Sequence, residues 1–400
     1  MVQSNHMRLR TTLHTIVIAL CFSQLGAAET SNSDQRIQQA VALLKSENYA
    51  PAERLYREVL RDLESAANPD KRSVTVLSNL GVAEFHLGKL TDSEDHYLRS
   101  LDEMKRYPAV ADLEMQAVMN NLATLYRKAG RYTESLALHE LVVRLREGKP
   151  GTDLGLSLNN VAVLYQQLGR FDDAERSARR AVALLEKNSG SGNGLLAESL
   201  LTLGSTCISQ GKLEEAEKSL RRSIKIRESV FGAAHASIGQ VLCGLAYVRS
   251  AQERYADMEP LLERAIAIYK AAGMENTPET AVAYNNLAQV YKLSGRYRAA
   301  DPYFRKAIEI WEKTLGPRHP DLGLGLLNMA DLYRVEGKLA GSAKLLERAV
   351  AILDAALGSR HVEALDARKR LAAVYLAQGR ATEAAKRFSD RRIRSSSKSR

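Results

Sequence analysis

The chain has 400 residues, 45% of them apolar and 26% charged, with nine prolines, a balance that supports a buried core and excludes wholesale disorder. Mean hydropathy is -0.28, and no apolar run approaches the roughly 18 residues of a membrane-spanning helix, which excludes a polytopic membrane protein. The net charge of +10 sits mostly at the two ends, because residues 1–28 carry Arg8 and Arg10 without an acid and residues 386–400 carry seven Lys/Arg against Asp390. The body between them is nearly neutral, so a pI of 9.4 is no sign of nucleic-acid binding.

In chain order, the first predicted element is a secretory signal over residues 1–28. Arg8 and Arg10 precede a short apolar stretch from Leu13 to Phe22, and the small residues Gly26, Ala27 and Ala28 stand before Glu29. Cleavage is expected after Ala28, which makes the chain an exported protein, periplasmic or secreted. The apolar stretch of about ten residues is too short to cross a bilayer as a helix. Lipid attachment at Cys21 is not expected, because Leu20 stands where a small residue is wanted.

From residue 29 to 390 the sequence repeats. Glycines at 88, 130, 169, 211, 295, 337 and 379 each precede Lys or Arg, and Glu47 and Glu253 hold the same place before Asn48 and Arg254. Successive anchors are 41, 42 and 39 residues apart and then 42 five times, which gives nine units. Gly suits a turn at positive φ that ends a first helix, and the basic residue after it suits the negative helix end. Seven residues before the anchor stand Ala40, Gly81, Ala123, Ala162, Gly204, Ala246, Ala288, Ala330 and Ala372, all small. Five residues after it stand Ala52, Ser93, Ser135, Ala174, Ala216, Met258, Ala300, Ser342 and Ala384, small but for one. Two small columns flanking a turn let two helices approach closely, with Leu, Val or Met and then Tyr126, Tyr165, Tyr291, Tyr333 and Tyr375 filling the seam. Pro260 and Pro302 share a column expected in the first turn of the second helix. Residues 391–400, with five Lys/Arg and no apolar period, read as a basic disordered tail.

A small residue, Tyr three positions on, Gly before a basic residue and a small residue in the second helix together resemble the tetratricopeptide repeat. The 42-residue spacing, the segments Asn120–Ala123 and Asn285–Ala288 and the linker Leu315–Pro320 are similar to the longer kinesin-light-chain type. The resemblance covers about 35–390. It departs at Gln39 in the apolar column, in the short third interval, at Glu253 and in the shortened ninth unit. It implies an all-α, right-handed superhelical solenoid of about nine helical hairpins whose first helices line a concave groove.

By that resemblance, the residue before the seam Leu faces the groove: Gln38, Asn79, Asn121, Asn160, Thr202, Gly244, Asn286, Asn328 and Arg370, with Asn120, Asn159 and Asn285 beside it. Asparagine amides offer an acceptor and two donors to the backbone of an extended peptide. The same amides can instead bond between neighbouring repeats. His235, His319 and His361 recur at one linker position and so share a linker role, since stacking would hold them about 10 Å apart, too far to share a metal. Cys207 falls in the Tyr column and Cys243 near the groove, offset by six residues, and a disulfide between them is not expected. The stripe Arg99, Arg180, Arg222, Arg264, Lys306 and Arg348 reads as a salt-bridged outer face. No nucleophile and base, metal motif or phosphate-binding loop can be assembled, and neither enzyme activity nor a cofactor is expected. The expected function is a scaffold that binds an extended segment or helix of another protein in the groove. The alternative is an envelope tether or spacer, its tail held weakly on an anionic surface such as lipid headgroups.

Overall fold

A computed structural model describes residues 32–66, 70–107, 112–149, 152–189 and 194–389. The expected signal segment, residues 1–28, and the expected basic tail, residues 391–400, fall outside these. Among the described residues all regular structure is helical, and the helices follow the predicted repeat. The chain divides between Gln210 and Gly211 into two compact units.

The first unit contains the hairpins α1 (Asn32–Lys45) with α2 (Tyr49–Ser65), α3 (Arg72–His86) with α4 (Leu90–Met104), α5 (Asp112–Lys128) with α6 (Tyr132–Arg146) and α7 (Asp153–Gln167) with α8 (Phe171–Ser189), followed by α9 (Gly194–Ser209). The second begins with α10 (Leu213–Phe231). The hairpins α11 (Ser237–Ala251) with α12 (Met258–Ala271), α13 (Pro278–Leu293) with α14 (Tyr297–Leu315), α15 (Pro320–Val335) with α16 (Leu339–Leu357) and α17 (Val362–Ala377) with α18 (Ala381–Ser389) follow.

Each anchor turn has the conformation its glycine predicts, with φ between 71° and 78° at all seven glycines and 60° and 59° at Glu47 and Glu253. The two small columns meet across the turn. Hydroxyls of Ser93 and Ser135 donate to the carbonyls of Gly81 and Ala123 at 2.6 Å, and Ser342 to Ala330 at 2.8 Å. These buried bonds join the two helices of a hairpin where Ala elsewhere provides only close approach. A third small column, unread in the sequence, places Gly155, Gly239 and Gly323 against Leu185, Tyr269 and Leu353 of the partner helix, where any Cβ would come within 3.0 Å.

One expectation is extended and one is corrected. Four of the basic residues after the glycines also stack on a ring: Arg131, Arg170, Arg296 and Arg380 lie 4.0 to 4.5 Å over Tyr126, Tyr165, Tyr291 and Tyr375, a recurring cation–π contact. Pro302 is not in a first turn, because α14 starts at Tyr297 and holds the proline inside it, which leaves the Arg298 carbonyl without its amide partner. Pro260 does lie in a first turn, because a 3-10 turn, Tyr255–Asp257, precedes α12, which begins at Met258.

The linker histidines do share one role. Nδ1 of His235, His319 and His361 accepts the backbone N–H of Ser237, Asp321 and Glu363 at 3.2 to 3.3 Å, satisfying an amide at the start of α11, α15 and α17 that has no partner within the helix.

Candidate functional site on the first helices

Within each unit, successive first helices touch one another: α1 with α3, α3 with α5 and α7 with α9, then α11 with α13, α13 with α15 and α15 with α17. Second helices are bridged by long side chains instead. Arg99 pairs with Glu64, Arg180 with Glu147 at 2.6 Å, Arg264 with Glu228 at 2.5 Å and Arg348 with Glu312. The basic stripe is therefore an ion-paired outer face, and the first helices form the inner side of each unit.

Exposure along the first helices recurs every three or four residues. In α13 Val282, Asn285, Gln289 and Lys292 are partly open, beyond Pro278 and Glu279 at its start, and in α5 Ala117, Asn120, Thr124 and Arg127 are, with Glu114, Met115 and Met119 also partly open. This row, rather than one asparagine column, is the partly open surface of the first helices. The sequence pattern carried the signal, since these positions lie one helical turn either side of the asparagines.

The predicted asparagines divide into two groups. Asn120, Asn160 and Asn285 are half-buried, while Asn79, Asn121, Asn159, Asn286 and Asn328 are at most 8% exposed. Asn79 is enclosed beside the Tyr56 hydroxyl. Asn159 has no hydrogen-bond partner for either amide atom among the described residues. Asn120 Oδ1 lies 3.1 Å from Nδ1 of buried His139. Asn285 and Asn328 are brought together across one repeat, with Asn328 Nδ2 donating to Asn285 Oδ1 at 3.1 Å. The half-buried members therefore keep partly open amide edges, and the others are enclosed within the helix stack.

The Tyr column is broken by Leu43, Glu84, Cys207 and Arg249, and each of the two charges among these is matched inside its unit. Glu84, fully buried, takes Arg57 at 2.6 Å and His96 Nδ1 at 2.7 Å. Arg249 pairs with Glu217, and this partner holds the Glu217 carboxyl down at about 2. Cys207 and Cys243 are both buried and not joined in a disulfide. No group of metal-binding side chains occurs among the described residues, and no described helix is long and apolar enough to cross a membrane.

The tetratricopeptide repeat profile matches residues 72–148, 114–187, 153–229, 237–313, 279–334 and 321–391. The chain belongs to the tetratricopeptide repeat family. The apo form of RapI shares the fold of these tetratricopeptide repeats, with a TM-score of 0.61 at 14% identity over 91% of this chain and 99% of that one. Aspartyl phosphate phosphatase F from Bacillus subtilis gives 0.54 at 14% identity, covering 92% and 94%. A Rap protein complexed with Competence and Sporulation Factor gives 0.52 at 14% identity, covering 89% and 99%. No curated protein sequence matches the chain. Its tetratricopeptide repeats thus form an α-solenoid of the kind that mediates contacts between proteins.

Proposed function

We propose that the chain is an exported scaffold that binds an extended segment or helix of a partner protein along the inner face of its first helices, without catalysis. The observation that carries this reading is the recurring row of half-buried amide, aliphatic and charged side chains on helices whose other faces are packed. Asn120, Asn160 and Asn285 offer donors and acceptors to a peptide backbone, and residues such as Gln289 and Val282 discriminate among side chains. A Rap protein of the same fold is complexed with Competence and Sporulation Factor, which accords with ligand binding on this architecture. Export is supported by the three-part signal over residues 1–28. The 42-residue interval and the Leu315–Pro320 linker support the kinesin-light-chain type of repeat, and a signal segment argues against carrying over a motor role.

The test is capture from native envelope extract with residues 29–390, in parallel with the Asn120→Ala/Asn160→Ala/Asn285→Ala variant and an outer-face Arg222→Ala/Lys306→Ala control. A partner held by the wild type and the control and lost by the folded triple variant supports the reading. Loss only with the outer-face control refutes it. The charge of the 391–400 tail supports a second reading, an envelope tether. Binding to anionic vesicles that disappears on deleting 391–400, with no inner-face partner, would favour the tether.

A further inference from the structure

The inner faces of α13, α15 and α17 differ from the rest of the row. Asp331 on α15 stands between cations from three successive first helices. Arg370 Nη1 donates to its Oδ2 at 2.6 Å, Arg334 Nε lies 3.4 Å from Oδ1 and Lys292 Nζ lies 3.8 Å from Oδ2. Arg370 is shared with Asp366 at 2.8 Å. Three cations thus face two carboxylates, and one positive charge is left unmatched.

Lys292 carries most of that excess. Its side chain is only 15% exposed, and it finds no hydrogen-bond acceptor among the described residues, Asp331 being beyond bonding length. Burial holds its ammonium below the ordinary lysine range, opposed by Asp331 and reinforced by Arg370 and Arg334. An ammonium that is mostly desolvated and lacks an acceptor is costly to keep. A carboxylate placed between Lys292 and half-exposed Arg334 would restore those bonds as charge-assisted ones.

An apolar row runs beside the cations. Leu293 is 50% exposed, Val335 42% and Leu376 57%. Leu293 and Val335 directly follow Lys292 and Arg334, and Leu376 shares the cations' place in the repeat. Three of the eight large apolar side chains that are exposed among the described residues therefore lie along this strip. In the first unit the corresponding pairs are Leu44–Lys45, Phe85–His86, Arg127–Lys128, Gln166–Gln167 and Ile208–Ser209, none of which sets a cation beside an exposed aliphatic side chain, Leu44 being buried.

We infer that α13, α15 and α17 form the selective part of the groove, taking a peptide segment in which a carboxylate side chain alternates with large aliphatic ones. The carboxylate sits between Lys292 and Arg334, and the aliphatic side chains lie on Leu293, Val335 and Leu376. Asp331 holds Arg370 away from the ligand and sets the spacing of the three helices. The inference rests on the groove reading above and narrows it to a partner chemistry.

The test uses the full chain and a short fluorescent peptide alternating Leu and Glu, with Gln-for-Glu and Lys-for-Glu counterparts. The Glu peptide is expected to bind at low salt and to weaken by about tenfold or more when Glu becomes Gln. Lys292→Gln and Arg334→Gln should erase that preference, Lys292→Arg should retain it, and outer-face Lys306→Gln should leave it unchanged. Equal affinity for the Glu and Gln peptides, no binding of any peptide, or a preference that survives Lys292→Gln and Arg334→Gln together overturns the inference. Binding of the Lys peptide alone would assign the strip to basic segments instead. A partner that depends on Asn120, Asn160 and Asn285 but not on Lys292 or Arg334 would leave the groove reading standing and remove this one.

Discussion

Asn328 donates its side-chain amide to Asn285 Oδ1 at 3.1 Å and so ties α15 to α13 across one full repeat. Asn285 in turn lies 3.4 Å from Asn286 Oδ1 through its own Nδ2. In this pair the amide serves the stack, and only the half-buried edge of Asn285 remains open. A double-mutant cycle with Asn285→Ala and Asn328→Ala should give a coupling of about 0.5–1.5 kcal/mol in urea denaturation. Asn159→Leu should be neutral or stabilising by the same measurement, because the amide it removes is buried and unbonded. A coupling near zero would mean that the bond contributes nothing to the stack.

Gly81→Ala should destabilise the protein, although alanine fills seven of the nine equivalent positions. A Cβ at Gly81 would lie 2.8 Å from Cε1 of Tyr97, whose side chain is fully buried. Overpacking of this kind costs about 1–3 kcal/mol. Adding Tyr97→Leu should recover part of the lost melting temperature, and a Gly81→Ala protein as stable as wild type would show that the ring moves freely.

Glu253→Gly should stabilise the second unit. Glu253 is exposed and sits at φ 59°, where a side chain clashes with its own backbone at about 1–2 kcal/mol. The greater freedom of glycine in the unfolded chain offsets part of this, so the expected gain is about 1 kcal/mol. Calorimetry of Glu253→Gly beside Gly295→Ala, which should shift in the opposite direction, checks the sign.

The hairpin period, the two small columns and the position of the asparagines were legible in the sequence because repetition forces the same geometric answer nine times. What was not legible depends on a single repeat or on stacking. Glu84 and Arg249 look like lapses in the Tyr column until Arg57, His96 and Glu217 arrive from neighbouring helices. Lys292, Asp331 and Arg370 are 39 residues apart in turn and come together only when three first helices pack side by side. Burial of Asn79 and Asn159 follows from how closely adjacent helices approach, which column spacing does not encode.

The acid limb of stability should depend on His139. Burial, with the charges of Arg127 and Arg146 adding to it, holds this imidazole down at about 3, against roughly 6.5 for a free histidine. Between those values the unfolded chain takes up a proton that the folded one refuses, so stability falls as pH drops from about 6.5 toward 3 and is unaffected above. His139→Leu should flatten that part of the urea midpoint against pH. The same slope in the variant would show that the imidazole charges in place.

The central claim, that a partner lies along the inner side of the first helices, is tested most directly by site-specific photo-crosslinking in cells. A benzophenone side chain would be placed at Gln289 on the inner face or at Tyr247, half-buried and at the same place in its repeat, or at Arg222 or Lys306 on the outer one. Adducts to a single protein from Tyr247 and Gln289, with none from the outer positions, are the predicted result. Adducts from Arg222 and Lys306 without inner-face adducts would contradict it and move the binding surface to the ion-paired side.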